Sequence, residues 1–250
     1  MKYVPEELMV VTGAREIKDH YNVLVGLGLP MACAILAKKT HAPRATIFFE
    51  NGVVNPDSTD YGVGLADLKA WSMSAYFTNA VEVLGYMLQG GKIDVGFVGV
   101  LEIDMHGNVN SSIVESEGRK RHFTGSGGGN DIVSSAGKVI IIMRHQKRKL
   151  KERVYFITSP GYVGGRDRAE LGIRGGDIMV ITDMAVLKFD RVRRKMSLVS
   201  VHPGITVEEV ISNTGFTLDV PEKVVTTPEP SDYELKVLRE RIPRSLYAKE

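Results

Sequence analysis

Residues 22–52 read N-V-L-V-G-L-G-L-P-M-A-C-A-I-L-A-K-K-T-H-A-P-R-A-T-I-F-F-E-N-G, a strand, a helix and a second strand in immediate succession. Val23, Leu24 and Val25 form a short apolar run that Gly26-Leu-Gly28-Leu-Pro30 interrupts. Residues 31–39 favour a helix with Ala32, Ile35 and Leu36 on its inward face. Thr46-Ile-Phe-Phe49 is β-branched and aromatic, and it stops abruptly at Glu50-Asn51-Gly52. That composition predicts a buried strand with Glu50 at its carboxyl end.

The same alternation extends in both directions. Pro5 suits a first helical turn, and Leu8, Val11, Ala14 and Ile17 follow at helical spacing, predicting an amphipathic helix to about His20. Residues 55–64 mix Pro, Asp, Ser and Gly and read as a long loop. Val81, Leu84, Met87 and Leu88 predict a helix over residues 79–89 that Gly90-Gly91 ends, and the apolar residues 93–101 then read as a strand. A turn at residues 104–108, a glycine-rich segment at 125–130 and a buried strand at 138–143 complete the pattern. The fold class is therefore α/β, an open, mainly parallel sheet with helices on both faces. The last third adds a β-hairpin, residues 186–190 and 196–201 around a cationic turn. Two capping boxes, Thr206-Val-Glu-Glu209 and Ser231-Asp-Tyr-Glu234, open late helices over 207–212 and 232–240. Repeats, low-complexity tracts and linkers are absent from the sequence, so residues 1–250 read as a single domain.

Composition narrows the function. The 32 Lys and Arg against 30 Asp and Glu leave a formal charge of +2, too small a basic field to imply a nucleic-acid partner. Cys33 is the single cysteine, which suits a reducing compartment, and Glu6 and Glu7 interrupt what a secretory signal would keep apolar. The longest strongly apolar run, residues 139–143, is far below the roughly 20 residues of a membrane span, so cytoplasm is expected and no membrane partner. None of the six histidines forms a zincin pair, and no metal site is expected. A dinucleotide fingerprint from Gly26 would need Gly at Met31, and a P-loop on Gly91-Lys92 would need Gly at Tyr86. What remains is a glycine excess, 26 of 250 residues, gathered in a few clusters.

Each cluster has two readings. Gly26 and Gly28 serve either as a strand-to-helix turn or as a place where backbone approaches a ligand. Gly125-Ser-Gly-Gly-Gly-Asn130 is either a flexible turn or a run of amides converging on developing negative charge ahead of a helix. Glu50 follows an apolar strand where desolvation opposes its charge, so it is either paired or functional, or else it points outward and starts a turn. The cationic residues 144–153 form either a solvated face or a phosphate contact.

Together, Gly26-Leu-Gly28-Leu-Pro30, Glu50-Asn51-Gly52, Asp104-Met-His-Gly107-Asn108-Val-Asn110 and Phe123-Thr-Gly-Ser-Gly-Gly-Gly-Asn130 resemble family I coenzyme A transferases. The resemblance is to the β subunit, in its glutaconate-type form, and continues through Thr158-Ser-Pro-Gly161, Val180-Ile-Thr-Asp183 and Asn213-Thr-Gly-Phe216. Phe49 stands where the family commonly has a polar residue before its glutamate. The resemblance implies that Glu50 is a nucleophile passing through a glutamyl-CoA thioester, and that the Gly128 and Gly129 amides face the glutamyl carbonyl. It also implies that Asn130 fixes that loop or the acyl group, and that Gly26, Gly28 and Asn51 lie beside the site. It further implies an acyl-CoA and a carboxylic acid as substrates, no permanently bound cofactor, and an α subunit as partner. A CoA-ester or ring-cleaving hydrolase, or a non-catalytic ligand-binding subunit, are the alternatives on the same scaffold.

Overall fold

The computed structural model describes residues 2–56, 68, 71, 74–116 and 118–247. Its helices are α1 (Pro5–Arg15), α2 (Leu29–Lys39), a π-helix (Val81–Gln89), α3 (Gly129–Ser135), α4 (Val207–Ser212) and α5 (Asp232–Arg241). The first strands are β1 (Asn22–Leu24), β2 (Thr46–Phe48), β3 (Val53–Pro56), β4 (Ser74–Phe77) and β5 (Val95–Val98). Four short ones follow, β6 (Glu102–Asp104), β7 (Val109–Asn110), β8 (Ile113–Ser116) and β9 (Arg119–His122). The chain continues through β10 (Lys138–Ile142), β11 (Leu150–Lys151), β12 (Asp177–Ile181), β13 (Ala185–Asp190), β14 (Lys195–Val201) and β15 (Val225–Thr226).

Ten strands make one sheet in the order β15-β14-β13-β12-β10-β5-β1-β2-β3-β4. Its centre, β12-β10-β5-β1-β2, is wholly parallel, and antiparallel pairs extend it on both sides. From β1 the chain steps one way to β2 and later the other way to β5, so the strand order reverses between β1 and β5. Open α/β sheets bind ligands outside the carboxyl ends of the strands at such a reversal. β10 shows why the central strands are continuously apolar: Ile140 and Ile142 enter the core beneath α1, α2 and α5, and Val139 and Ile141 enter the opposite core with α3 and the π-helix. Among the described residues no helix is long and apolar enough to cross a membrane.

Three expectations change. α1 ends at Arg15, and residues 7–14 are all buried, because the helix packs on α2 and on the sheet while α5 covers it from outside. The helix after Ala80 is wound with i→i+5 bonds, and the residues it buries, Val83 and Leu88, are five apart. Of the residues expected on its inward face, Leu88 is buried and Leu84 and Met87 pack against the core, while Val81 is solvent-exposed and Val83 is buried in its place. Asn55 and Pro56, read as the start of a loop, belong to β3; residues 57–64 lie outside the described residues. The late hairpin and both capping boxes form where the sequence places them.

Behind β13 and β14 lies a buried polar network. The two His145 ring nitrogens contact the Thr182 and Thr214 hydroxyls, each at 3.0 Å. His202 contacts the Thr227 hydroxyl at 2.9 Å and the Thr182 carbonyl at 2.7 Å. Burial pushes both imidazoles down, His145 from 6.5 to about 4, with Asp183 opposing the shift. A depressed folded pKa means that the unfolded chain takes up protons first, so stability is fully present above about pH 6.5 and falls toward pH 4. At about 1.36 kcal/mol per unit, His145 alone accounts for about 3 kcal/mol across that window. Thermal melting at about pH 7 and about pH 5 should show the loss, and equal melting temperatures would contradict a neutral buried pair.

Candidate active site

The turn after β2 is closed twice. The Phe49 N–H donates to the Val53 carbonyl at 2.9 Å, and the Gly52 N–H donates to the Phe49 carbonyl at 3.0 Å. Phe49 is fully buried, which anchors the turn and leaves Glu50 and Asn51 at its corner. Gly52 has φ +100°, and the Thr78 carbonyl occupies the space a β-carbon would need. Only glycine fits both constraints. The Asn51 side chain accepts the Val53 N–H at 3.2 Å, so it braces the turn.

Facing this corner is the glycine-rich loop before α3, with Gly125 at φ +86° and Gly127 at φ +48°. The Gly128 N–H donates to Glu50 Oε2 at 2.9 Å. A β-carbon at position 128 would overlap that carboxylate oxygen and lie 3.3 Å from Leu84 Cδ2 of the π-helix. The adjacent amide behaves differently: the Gly129 N–H closes the loop onto the Ser126 carbonyl at 2.8 Å. Among the described residues the Gly128 N–H is thus the backbone donor that reaches the Glu50 carboxylate. Asn130 is exposed on the first turn of α3, where its carbonyl oxygen accepts the Ser134 hydroxyl at 3.3 Å. Gly26 and Gly28 sit at the β1–α2 junction, with Gly28 capping α2 at φ +79°, and neither they nor Asn51 line the cleft.

That cleft, about 650 Å³, opens at Glu50 on the carboxyl side of the parallel strands. Val98, Leu101, Val109 and Val133 give it apolar walls, and Ser111, Thr124, Ser126 and Ser159 add hydroxyls. Among the described residues lining it, Glu50 is the only ionisable one. Val98 and Leu101 come from the apolar segment 93–101, and Val109, Phe123, Thr124 and Ser159 from motifs that carry the family resemblance; that they wall one cleft depends on the tertiary fold, since the segments lie far apart in the chain.

α3 is held from behind. Its last turn receives the Arg168 guanidinium on the Val133 carbonyl, the Gly175 N–H on Ser134 at 2.7 Å and the Gly176 N–H just beyond, on Ala136, at 2.8 Å. Near its start, Gln89 of the π-helix binds Asp131 at 3.0 Å. A cation at a helix carboxyl end is favourably placed against the helix dipole. Two cations of the run 144–153 are structural: Arg144 pairs with Glu6 and Asp183, and Lys151 with Glu102. Cys33 is buried with its thiol pKa pushed up, which removes it as a nucleophile. Among the described residues no group of three or more His, Cys, Asp or Glu side chains comes together to hold a metal ion.

A carboxylate on a constrained turn, a backbone donor on its oxygen and an apolar cleft at the sheet's carboxyl edge are the parts needed for acyl chemistry through a carboxylate nucleophile. Residues 7–213 match the model of the coenzyme A transferase family, and the chain belongs to that family. More particularly, it is 36% identical over 251 residues to the β subunit of glutaconate CoA-transferase of Acidaminococcus fermentans, covering 96% of this chain and 92% of that one. It is 34% identical over 240 residues to the β subunit of 3-oxoadipate CoA-transferase of Pseudomonas knackmussii, covering 95% and 92%. The crystal structure of glutaconate coenzyme A-transferase from Acidaminococcus fermentans matches with a TM-score of 0.88 and 32% identity, over 99% of this chain and 98% of that chain.

Proposed function

We propose that the chain is the β subunit of a heteromeric acyl-CoA:carboxylate CoA-transferase that works through a glutamyl-CoA thioester on Glu50. The contact between the Gly128 N–H and the Glu50 carboxylate, inside the cleft, carries this reading. The carboxylate attacks the thioester carbonyl, and the C–S bond breaks to give an acyl-glutamyl anhydride and CoA thiolate. The thiolate attacks the glutamyl carbonyl, forming the enzyme thioester and releasing the first acid as its carboxylate. The acceptor carboxylate then runs the two steps in reverse. An anhydride preserves the activation of the thioester, whereas a hydroxyl nucleophile would give an unactivated ester. At each addition the Gly128 N–H meets oxygen-centred negative charge. Asn51 braces the nucleophile's turn through the Val53 N–H, Gly26 and Gly28 lie at the β1–α2 junction beside it, and Asn130, exposed on the first turn of α3, is left to meet the acyl group.

The similarity to the β subunits of two CoA-transferases supports an α subunit that completes the site, with residues 1–250 acting as one domain. A buried reduced cysteine and an acyl-CoA substrate suit the cytoplasm. The chain alone should show less than about 1% of the exchange rate of the reconstituted pair, a loss of more than about 2.7 kcal/mol in transition-state stabilisation. Exchange assayed with and without acceptor acid tests the reaction class. Product that appears only with acceptor supports transfer, and equal thioester cleavage in water alone would replace it with hydrolysis.

A further inference from the structure

The Glu50 cleft supplies no cation among its described lining residues, yet a CoA thioester carries three phosphate groups at its nucleotide end. Their charge must be met further out. β8 and β9 form a two-stranded hairpin separate from both sheets, and Arg119, Lys120, Arg121 and His122 on β9 are all exposed. The ladder continues past β9, since the Phe123 N–H donates to the Ser112 carbonyl at 2.8 Å. Side chains alternate along such a strand, so Arg119, Arg121 and Phe123 share one face while Lys120 and His122 share the other. Phe123 lines the Glu50 cleft, and the Arg121 guanidinium lies 5.7 Å from its ring centroid. The arginine face is therefore the outward continuation of the cleft wall. At about 3.3 Å per residue, Arg119 stands about 13 Å beyond Phe123.

The charges around this strip are uneven. Glu115, the acid across the ladder, is registered against Lys120, whose ammonium also lies 5.6 Å from the Tyr155 ring centroid. Arg121 is registered against Val114, and neither Arg119 nor Arg121 has an ion-pair partner among the described residues. Two guanidinium groups spaced along an extended strand suit phosphate oxygens, which they bind in bidentate fashion.

We propose that the Arg119–Arg121 face of β9 binds the phosphorylated nucleotide end of the CoA thioester, with the pantetheine arm running over Phe123 into the Glu50 cleft. The inference rests on the CoA-transferase reading. Its test uses the full-length chain assembled with its α subunit and the double variant Arg119→Ala/Arg121→Ala. The KM for acyl-CoA should rise at least tenfold with kcat within about twofold, and the KM for the matching acyl-pantetheine thioester, which lacks the nucleotide phosphates, should not move. Calorimetric binding of adenosine 3′,5′-bisphosphate should weaken at least tenfold in the same variant. Equal effects on both thioesters, no effect on either, or loss of assembly with the α subunit on size-exclusion chromatography would each overturn the proposal. Failure of the transferase reading shows separately, as wild-type enzyme without exchange, while the bisphosphate titration still reports on the strip.

Discussion

Glu50→Gln in the assembled enzyme should lower kcat for acyl-CoA:carboxylate exchange by about 10⁴-fold or more while leaving the melting temperature near that of wild type. The isosteric amide keeps the turn, because Phe49, Val53, Gly52 and Thr78 hold it through backbone bonds that do not involve the Glu50 side chain. Its carbonyl oxygen can still accept the Gly128 N–H. What it loses is the negative charge that makes the oxygen a nucleophile and the acid that makes the anhydride. Steady-state kinetics beside a thermal melt separate the two effects. Exchange within tenfold of wild type would remove Glu50 from the chemistry.

Gly128→Ala is the second large effect, and it isolates sterics from backbone strain. Gly128 has φ −72°, a value any residue adopts, so alanine costs the backbone little. The added methyl instead falls on Glu50 Oε2 and against Leu84, which displaces the carboxylate from its donor. Loss of one such donor typically lowers kcat by about 10²- to 10³-fold, and a fall of about 10²-fold with little change in KM is expected. Gly127→Ala is the contrasting variant. Its β-carbon would lie 3.7 and 3.8 Å from the two Glu50 oxygens, ordinary contact distance, but its φ of +48° penalises alanine by about 1–2 kcal/mol. Position 127 should therefore lose stability more than turnover, and position 128 turnover more than stability. Parallel losses at the two positions would contradict the contact geometry.

The parts of this site legible in the sequence are those with local causes. The apolar strand at 46–49 and the Glu-Asn-Gly stop fix where Glu50 falls, because strand composition and turn chemistry act over a few residues. The glycines at 125 and 127 adopt positive φ, as a loop folding back ahead of a helix requires. Elements that failed the reading depend on packing. α1 is buried on nearly all sides because α2, α5 and the sheet surround it, which an amphipathic template does not anticipate. The π-helix follows a five-residue spacing, so a 3.6-residue count finds Leu84, Met87 and Leu88 on the core side but takes Val81 in place of Val83; the helix supplies Leu84 beside Gly128 and Gln89 on Asp131. That Gly28 caps α2 likewise depends on how the chain turns out of β1, which the glycine alone does not announce. Nor does a motif announce that the Gly129 amide is taken by Ser126, since that depends on how one turn closes.

Covalent attachment of CoA to Glu50 is the central claim, and peptide mass spectrometry tests it most directly. The assembled enzyme, incubated with acyl-CoA in the absence of acceptor acid and digested, should yield the peptide bearing Glu50 increased by the mass of CoA less one water, with the adduct discharged when acceptor is added. An unmodified Glu50 peptide from enzyme trapped during demonstrable exchange, or an adduct on any other residue, would contradict the account.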